Sequence, residues 1–392
     1  MSRDGSPSAL WLWSSPEAAR ALATRDLGVI LRTYRRLNRL SQERLAALLG
    51  YDKTYVSMIE TGRRVVGDVG TRRHIANVLA LPSHTLGVTD SNDADFAAMT
   101  QFGDSTIRLA EIARQAGRAV DAVNELWPLA ARLEARAAEG HLERETLVLL
   151  GRARLALGVS LGTVLPEERL VTAVRWTGKA LIVAEHIADP VLLPHAQRMH
   201  GNELRKVGRL RAAVARLQEA LRTSTGDEPR GIALALLARA AGEQRDSALF
   251  DESIDHYRRL LDVEESRSVL FNRFTLREIQ LRGLLNTGRA PEAVRVIRTG
   301  QFDGEPVAPQ WRVIERVTAG EVLLASKQRD EAEDVFRAAL VAAEVHRLPH
   351  QIQRTIRATE ASQLSSVLED SCAALDRLNQ EFAPAPPTRD SG

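Results

Sequence analysis

A single cysteine, Cys372, serves a chain of 392 residues. An intrachain disulfide is therefore excluded, and so is a thiolate metal cluster within one chain; a reducing cytoplasm suits such usage. Aromatic residues make up only 4% of the sequence, while Ala, Leu, Arg and Glu abound, a balance that favours helix over sheet. No uninterrupted run of about 18 apolar residues occurs. The stretch from Met1 to Pro16 carries acid, Gly and Pro instead of a basic segment followed by a greasy one. The expectation is a cytoplasmic protein that neither crosses a membrane nor carries an export signal. Catalytic signatures are missing as well: there is no phosphate-binding Gly-rich loop, dinucleotide fingerprint, Gly-x-Ser-x-Gly elbow or His-Glu-x-x-His. The nine histidines are scattered. His195 and His200 stand five apart, a poor fit to one helix face, and Pro349 lies between His346 and His350. Neither an enzymatic role, a metal nor another cofactor is expected.

What is present is helical material for more than one core. Domains cluster at roughly 100–200 residues, so 392 residues that are 44% hydrophobic and 27% charged imply two or three folding units. The net charge of +2 conceals an asymmetry. Residues 27–86 hold ten Lys/Arg against four acids, a net of +6, which leaves 43 basic and 47 acidic residues, a net of −4, for the rest. One small region is suited to meet a polyanion.

Along the chain, residues 1–25 read as an N-terminal arm, in which Trp11 and Trp13 flank Leu12, followed by a short helix capped by Ser15 and begun by Pro16 and Glu17. From 26 to 88 the pattern breaks into short helices. Ile30, Leu31, Tyr34 and Leu37 mark the first; Ser41 caps a second that Gly50 ends; Asp52 caps a third that Gly62 stops; and Arg72 to Leu81 forms a fourth, closed by Pro82. Residues 89–100, opening on Thr89, Asp90, Ser91, Asn92 and Asp93, read as a linker. Residues 101–382 repeat themselves. Couples in a helix after a turn recur as Ala122-Val123, Ala173-Val174, Ala213-Val214, Ser253-Ile254, Ala293-Val294 and Ala332-Glu333, at offsets of 51, 40, 40, 40 and 39. Gly117-Arg118, Gly208-Arg209 and Gly288-Arg289 mark turns, with Gln328-Arg329 in the same slot. Each unit reads as two antiparallel helices that bury their apolar faces against neighbours. The longer first offset implies an insertion of about 11 residues near Gly158 to Pro166 relative to a 40-residue unit. Leu165-Pro166-Glu167-Glu168-Arg169 reads as a helix start, with acids at the positive end of the dipole. The tail 383–392 reads as disordered.

The segment from Ser41 to Arg64 reproduces Ser-Gln-x-x-Leu-Ala at a helix start, a Gly turn, and an Ile-Glu-x-Gly-x-Arg exit. It resembles the lambda-repressor-like, or xenobiotic-response-element, helix-turn-helix family of transcription regulators. The fold implied is all-α: this reader domain followed by an α-solenoid similar to tetratricopeptide arrays, an arrangement similar to actinobacterial regulators and, more distantly, to peptide-responsive regulators of Gram-positive bacteria. On that resemblance double-stranded DNA is the partner of the N-terminal domain. Gln42 sits where the family contacts a phosphate, and Lys53, Thr54 and Met58 occupy base-edge positions. Tyr55, Ser57, Arg63 and Arg64, with Arg72 and Arg73 as further candidates, take phosphate positions. Glu60 matches a buried family glutamate, with Arg35 as its partner and two unrelated surface charges as the alternative. Between Gly62 and the fourth helix many family members carry a proline; here stand Val65, Val66, Gly67 and Asp68.

The repeats are expected to dimerise the chain, to hold a peptide, protein or small ligand in a concave groove, or both. Arg198, Asn202, Arg205, Asn272 and Arg273 are candidates for that groove, a solvated convex face being the other reading. The alternative function is a protein-interaction scaffold that uses both domains without DNA.

Overall fold

The computed structural model describes residues 16–79, 81, 86–88, 94–138, 144–263, 268, 270–299 and 307–381. The arm 1–15 with its tryptophans and Ser15, Pro82, residues 89–93 of the expected linker and the tail 383–392 lie outside these. Among the described residues the fold is all-α, and the one β feature is an isolated bridge between Ser268 and Phe271. The chain divides into two compact units: residues 1–104 with 124–146 and 379–392, and residues 105–123 with 147–378.

The first unit opens with α1 (Pro16–Ala23), α2 (Leu27–Leu37), α3 (Gln42–Leu49), α4 (Lys53–Glu60) and α5 (Val69–Val78). Local chemistry sets these limits. Asp26, Ser41, Asp52 and Asp68 each accept a backbone N–H from the first turn of the helix they precede. Gly50, left-handed at φ 69°, closes α3. Ile30, Leu31, Leu45, Leu49, Val56, Ile59, Ile75 and Leu79 are buried and form the core. Gly28 lets α2 cross α4 closely, because a Cβ there would lie 2.5 Å from the Ile59 carbonyl oxygen. The fourth helix begins earlier than expected, at Val69, because Asp68 supplies its cap. The expected linker is already helical from Ala94, where α6 (Ala94–Gln115) begins.

After α6 come α7 (Ala119–Ala138), α8 (Arg144–Val164), a 3₁₀ turn (Glu167–Arg169), α9 (Val171–Ile187), α10 (Leu192–Lys206), α11 (Leu210–Thr223), α12 (Asp227–Gln244), α13 (Ser247–Val263), α14 (Arg273–Asn286), α15 (Ala290–Arg298), α16 (Pro309–Ala325), α17 (Arg329–Val345), α18 (Pro349–Ala361) and α19 (Ser365–Glu381). From α10 onward the even-numbered helices open hairpins and the odd-numbered ones close them. The opening helices α10, α12, α14 and α16 each pack on their own partner and on the next opening helix: α10 on α12, α12 on α14, α14 on α16 and α16 on α18. That is the arrangement of an α-solenoid.

The recurring couples all fall in closing helices. Ala122, Ala173, Ala213, Ala293 and Ala332 are buried at the third or fourth residue of theirs, whereas Ser253, also buried, lies about one turn deeper in α13, whose fourth residue is the buried Phe250. The hairpin turns share one hydrogen-bond pattern, in which an N–H returns to the carbonyl five residues back: Arg118 to Ala113, Arg209 to Leu204, Asp246 to Ala241, Arg289 to Leu284, Gln328 to Leu323 and Leu364 to Thr359. The left-handed residue preceding each donor is Gly117, Gly208, Arg245, Gly288, Lys327 or Gln363. The slot expected at Gln328-Arg329 is therefore Lys327-Gln328, one residue earlier.

Three further expectations are refined. The extra length expected near Gly158 to Pro166 is spread over the long α7, over α8, which Gly158 to Val164 completes, and over the 3₁₀ turn that follows. Residues 165–169 lead into a long helix as expected, but through the 3₁₀ turn Glu167–Arg169, with α9 itself starting at Val171. A further hairpin, α18 and α19, also follows the last recognised couple. Helix α8 has the length and hydropathy of a membrane span, but 61% of its most apolar window is buried within the protein.

Candidate nucleic-acid interface and the cavity of the repeat array

In α4 the 3.6-residue period divides the side chains cleanly. Val56, Ile59 and Glu60 are buried, Lys53 and Thr54 are exposed, and Ser57 and Met58 are half-buried on the same outer side. Lys53 lies 4.0 Å from Glu43 across open surface, a contact too weak to hold its ammonium against a phosphate or a base edge. Tyr55 is half-buried. Its ring lies 4.9 Å from that of Tyr51 and carries the Arg64 guanidinium at 4.6 Å, so Arg64 is positioned from below while staying exposed. Arg63 and Arg73 are exposed too.

The buried side of α4 is held by ions. Glu60, 1% exposed, accepts from Arg35 Nε at 2.8 Å and Nη2 at 3.0 Å, and from Gln42 Nε2 at 2.7 Å. Arg35 Nη1 also donates to the Leu40 carbonyl at 3.2 Å. Burial opposes the Glu60 charge, yet the Arg35 and Gln42 hydrogen bonds and the Arg35 charge outweigh it and hold the carboxyl below its ordinary value. The structure thus places the Arg35–Glu60 pair in the core, where it pins α2 against α4. Gln42 is committed to the same carboxylate, so one of its amide N–H donors is occupied. Arg72 is not a free surface cation. Its Nε donates to the Val66 carbonyl at 2.6 Å and its Nη1 to that of Leu86 at 3.1 Å, closing the segment where the family proline is missing. Val66 is buried there and Val65 is 83% exposed.

In the second unit a cavity of about 720 Å³ opens along the repeat helices. Arg198, Asn202 and Arg205 line it; Asn272 and Arg273 do not. Asn272 is fully buried as the cap of α14, accepting from Thr275 N at 2.7 Å and donating to the Ser268 carbonyl at 2.7 Å. Arg273 faces solvent, 3.4 Å from Asp262. Both start a helix, and a cap residue is consumed by the backbone it caps.

Two polar ladders along the opening helices escaped the reading of the sequence. One runs Arg198, Arg239, Glu278, Thr318 and Arg354, at offsets of 41, 39, 40 and 36; the other runs Asn202, Glu243, Arg282, Glu321 and Arg357, at 41, 39, 39 and 36. The repeat period brings successive rungs together. Arg205 Nη1 meets Glu243 Oε1 at 2.5 Å and Arg282 Nη1 meets it at 3.2 Å; Arg282 Nε lies 3.2 Å from Glu278; Arg354 Nη2 donates to Glu321 at 2.7 Å and to Thr318 Oγ at 3.2 Å. Burial opposes the Glu243 and Glu278 charges, and the surrounding arginines overcome it, holding both carboxyls below their usual range. At the end of the array Arg357 grips Glu167 at 2.6 and 2.9 Å, while Gln353 donates to Glu168 at 2.8 Å and accepts from Glu167 N at 3.0 Å. The acids expected at a helix start lie in the 3₁₀ turn that leads into α9 and also bind it to α18. Aligning the opening helices at the period already found in the closing ones exposes both ladders.

Residues 26–86 match a helix-turn-helix domain family. No curated protein matches the chain. Among solved structures the chain is similar to the crystal structure of Bacillus thuringiensis PlcR in complex with the peptide PapR7 and DNA, at 15% identity and a TM-score of 0.32, over 82% of this chain and 95% of that one.

Proposed function

We propose that the protein is a sequence-specific DNA-binding transcription regulator whose N-terminal domain reads a duplex through the outer side of α4. The observation that carries this reading is the free, cationic face of α4: exposed Lys53 and Thr54, half-buried Ser57 and Met58, and exposed Arg63 and Arg64 beside them. A helix of this kind, capped at Asp52 and braced from behind by the Arg35–Glu60 pair, meets the geometric requirement for entering a major groove. Lys53 is suited to donate to guanine O6 and N7, and the methyl groups of Thr54 and Met58 to touch a thymine methyl. Arg63, Arg64, Tyr55, Ser57 and the remaining amide hydrogen of Gln42 serve phosphates, which position the domain without reading sequence.

In this reading the chain acts as a homodimer, so an operator with half-sites about 10 base pairs apart is expected. The repeat array is the sensing part, a role supported by its polar, partly enclosed cavity. A ligand that favours one curvature of the array shifts the population able to engage both half-sites, and regulation needs no covalent chemistry.

Selection of bound fragments from the source genome by the full chain tests this proposal. Enrichment of a shared, two-fold-symmetric sequence supports it. Retention of no fragment even at low salt overturns it in favour of a protein-binding scaffold.

A further inference from the structure

The arginines of the cavity are not equally satisfied. Glu111 is paired with Arg114, Glu167 with Arg357, Glu243 with Arg205 and Arg282, and Glu321 with Arg354. Arg198 and Arg239 stand apart. Arg198 is 8% exposed, and the acceptor of its one hydrogen bond is the Ser224 hydroxyl, at 3.1 Å. Arg239 is 5% exposed and donates no hydrogen bond to any described residue; its nearest carboxylate, Glu278, lies 3.8 Å away and is shared with Arg282. The Nε atoms of both are buried without an acceptor, as is that of Arg282, whose Nη atoms however donate to Glu243 and Thr318. A buried guanidinium so poorly compensated is costly in free energy.

Charge and shape around them agree. Eight Arg and Lys residues line the cavity against five Glu; with Glu203 and Glu278 just behind the lining, the balance is eight against seven. Arg239 lies 4.8 Å from the centre of the Trp311 ring, and Met199, Ile232, Leu236 and Ile314 supply apolar wall. Burial pushes Arg198 down to about 10 despite the charge of Glu228. His195 is pushed down to about 3 by burial and by the Arg198, Arg114 and Arg152 charges. The volume falls in the range of roughly 300–1,000 Å³ typical of small-molecule sites.

We infer that the cavity binds a small organic anion, whose carboxylate or phosphate is received by Arg198 and Arg239 and whose apolar or aromatic body lies against Trp311 and the aliphatic wall. The inference deepens the reading of the array as a sensor and rests on it for its regulatory meaning, but binding is measured without DNA, so either can fail alone. An anion supplies hydrogen bonds that both arginines lack and adds to the partial counter-charge that Glu228 gives Arg198 and Glu278 gives Arg239.

The test uses the full chain and two fluorescent probes of nearly the same shape: 8-anilinonaphthalene-1-sulfonate, which is anionic, and N-phenyl-1-naphthylamine, its neutral counterpart. Saturable binding of the anionic probe is expected, at least about tenfold tighter than the neutral one. Arg198→Met and Arg239→Met should each weaken the anionic probe about tenfold and leave the neutral probe nearly unchanged. Arg273→Met, outside the cavity, should alter neither. Arg198→Lys, which keeps the charge, should recover part of the loss, and retained neutral-probe binding shows that a variant is folded. Displacement by phenylacetate or by phenyl phosphate then separates a carboxylate head from a phosphate. Equal affinity for the two probes, or equal losses in Arg273→Met and Arg239→Met, overturns the inference.

Discussion

The helix-turn-helix domain and the repeat array use arginine in opposite ways. In the small domain Arg32, Arg36, Arg39, Arg44, Arg63, Arg64 and Arg73 stay exposed, and one pair, half-buried Arg35 with buried Glu60, locks the helices behind them. In the array, beside exposed arginines such as Arg258 and Arg273, a set turns inward: Arg198, Arg205, Arg239 and Arg282 are all buried on opening helices that face one cavity. Surface charge attracts a polyanion at long range and is screened by salt. Buried charge is selective at short range and carries a desolvation cost that only a matching partner offsets. The contrast teaches that composition alone does not show what an arginine is for; its depth decides.

The largest effect that could break this comparison is expected at Glu278, which is fully buried beside Arg239 and Arg282. Glu278→Ala strands both cations and should destabilise the array by about 4 kcal/mol, seen as lost amide-exchange protection in α12, α14 and α16 with α2 to α5 unaffected. A cost below about 1 kcal/mol would mean that the ladder contributes little to holding these helices. Glu60→Ala should do the converse, lowering protection in α2 and α4 by about 3 kcal/mol, less because Arg35 is 26% exposed and regains some water. Gly28→Ala should cost about 2 kcal/mol by pushing α2 off the Ile59 carbonyl. Ser41→Ala, which removes a cap on exposed backbone, should cost about 1 kcal/mol.

Acid sharpens the same contrast. The Glu60 carboxyl is held below its ordinary value. Its contribution is therefore full above the pKa of an unfolded glutamate and is lost as pH falls through the lower folded value. Glu60→Gln should flatten the acid limb of the stability profile of α2 and α4, with little change near neutrality in the slope. Identical acid limbs in the variant and the parent would show that the pair is not the titrating element.

Most of the small domain was legible because its limits are set by local rules: Ser41 and Asp52 cap, Gly50 stops, and Val56 and Ile59 alternate inward with helical period. The repeats were legible from their closing helices, where buried small residues recur at a fixed offset. The hairpin α18 and α19 escaped because the offset shrinks to 35 and the couple becomes Val367-Leu368. The cavity was only partly legible. Arg198, Asn202 and Arg205 were recognisable as polar residues within a helix, but their partners Glu243, Glu278 and Arg282 come from other repeats and become neighbours only when the period is applied to the opening helices. Asn272 and Arg273 misled because a cap and a surface cation look, in sequence, like the same kind of polar residue. The clasp of Glu167 and Glu168 on α18 spans about 190 positions, and no local pattern announces it.

The central claim, that the outer side of α4 reads DNA, is tested most directly by salt titrations of the full chain on its selected operator and on unrelated duplex, comparing Lys53→Ala with Arg63→Ala. Lys53→Ala is expected to lose preference for the operator, while Arg63→Ala weakens binding to both duplexes and shallows the salt slope by about one. If both variants retain the parent's affinity, preference and slope, DNA is met by some other surface or not at all, and the account of α4 is wrong.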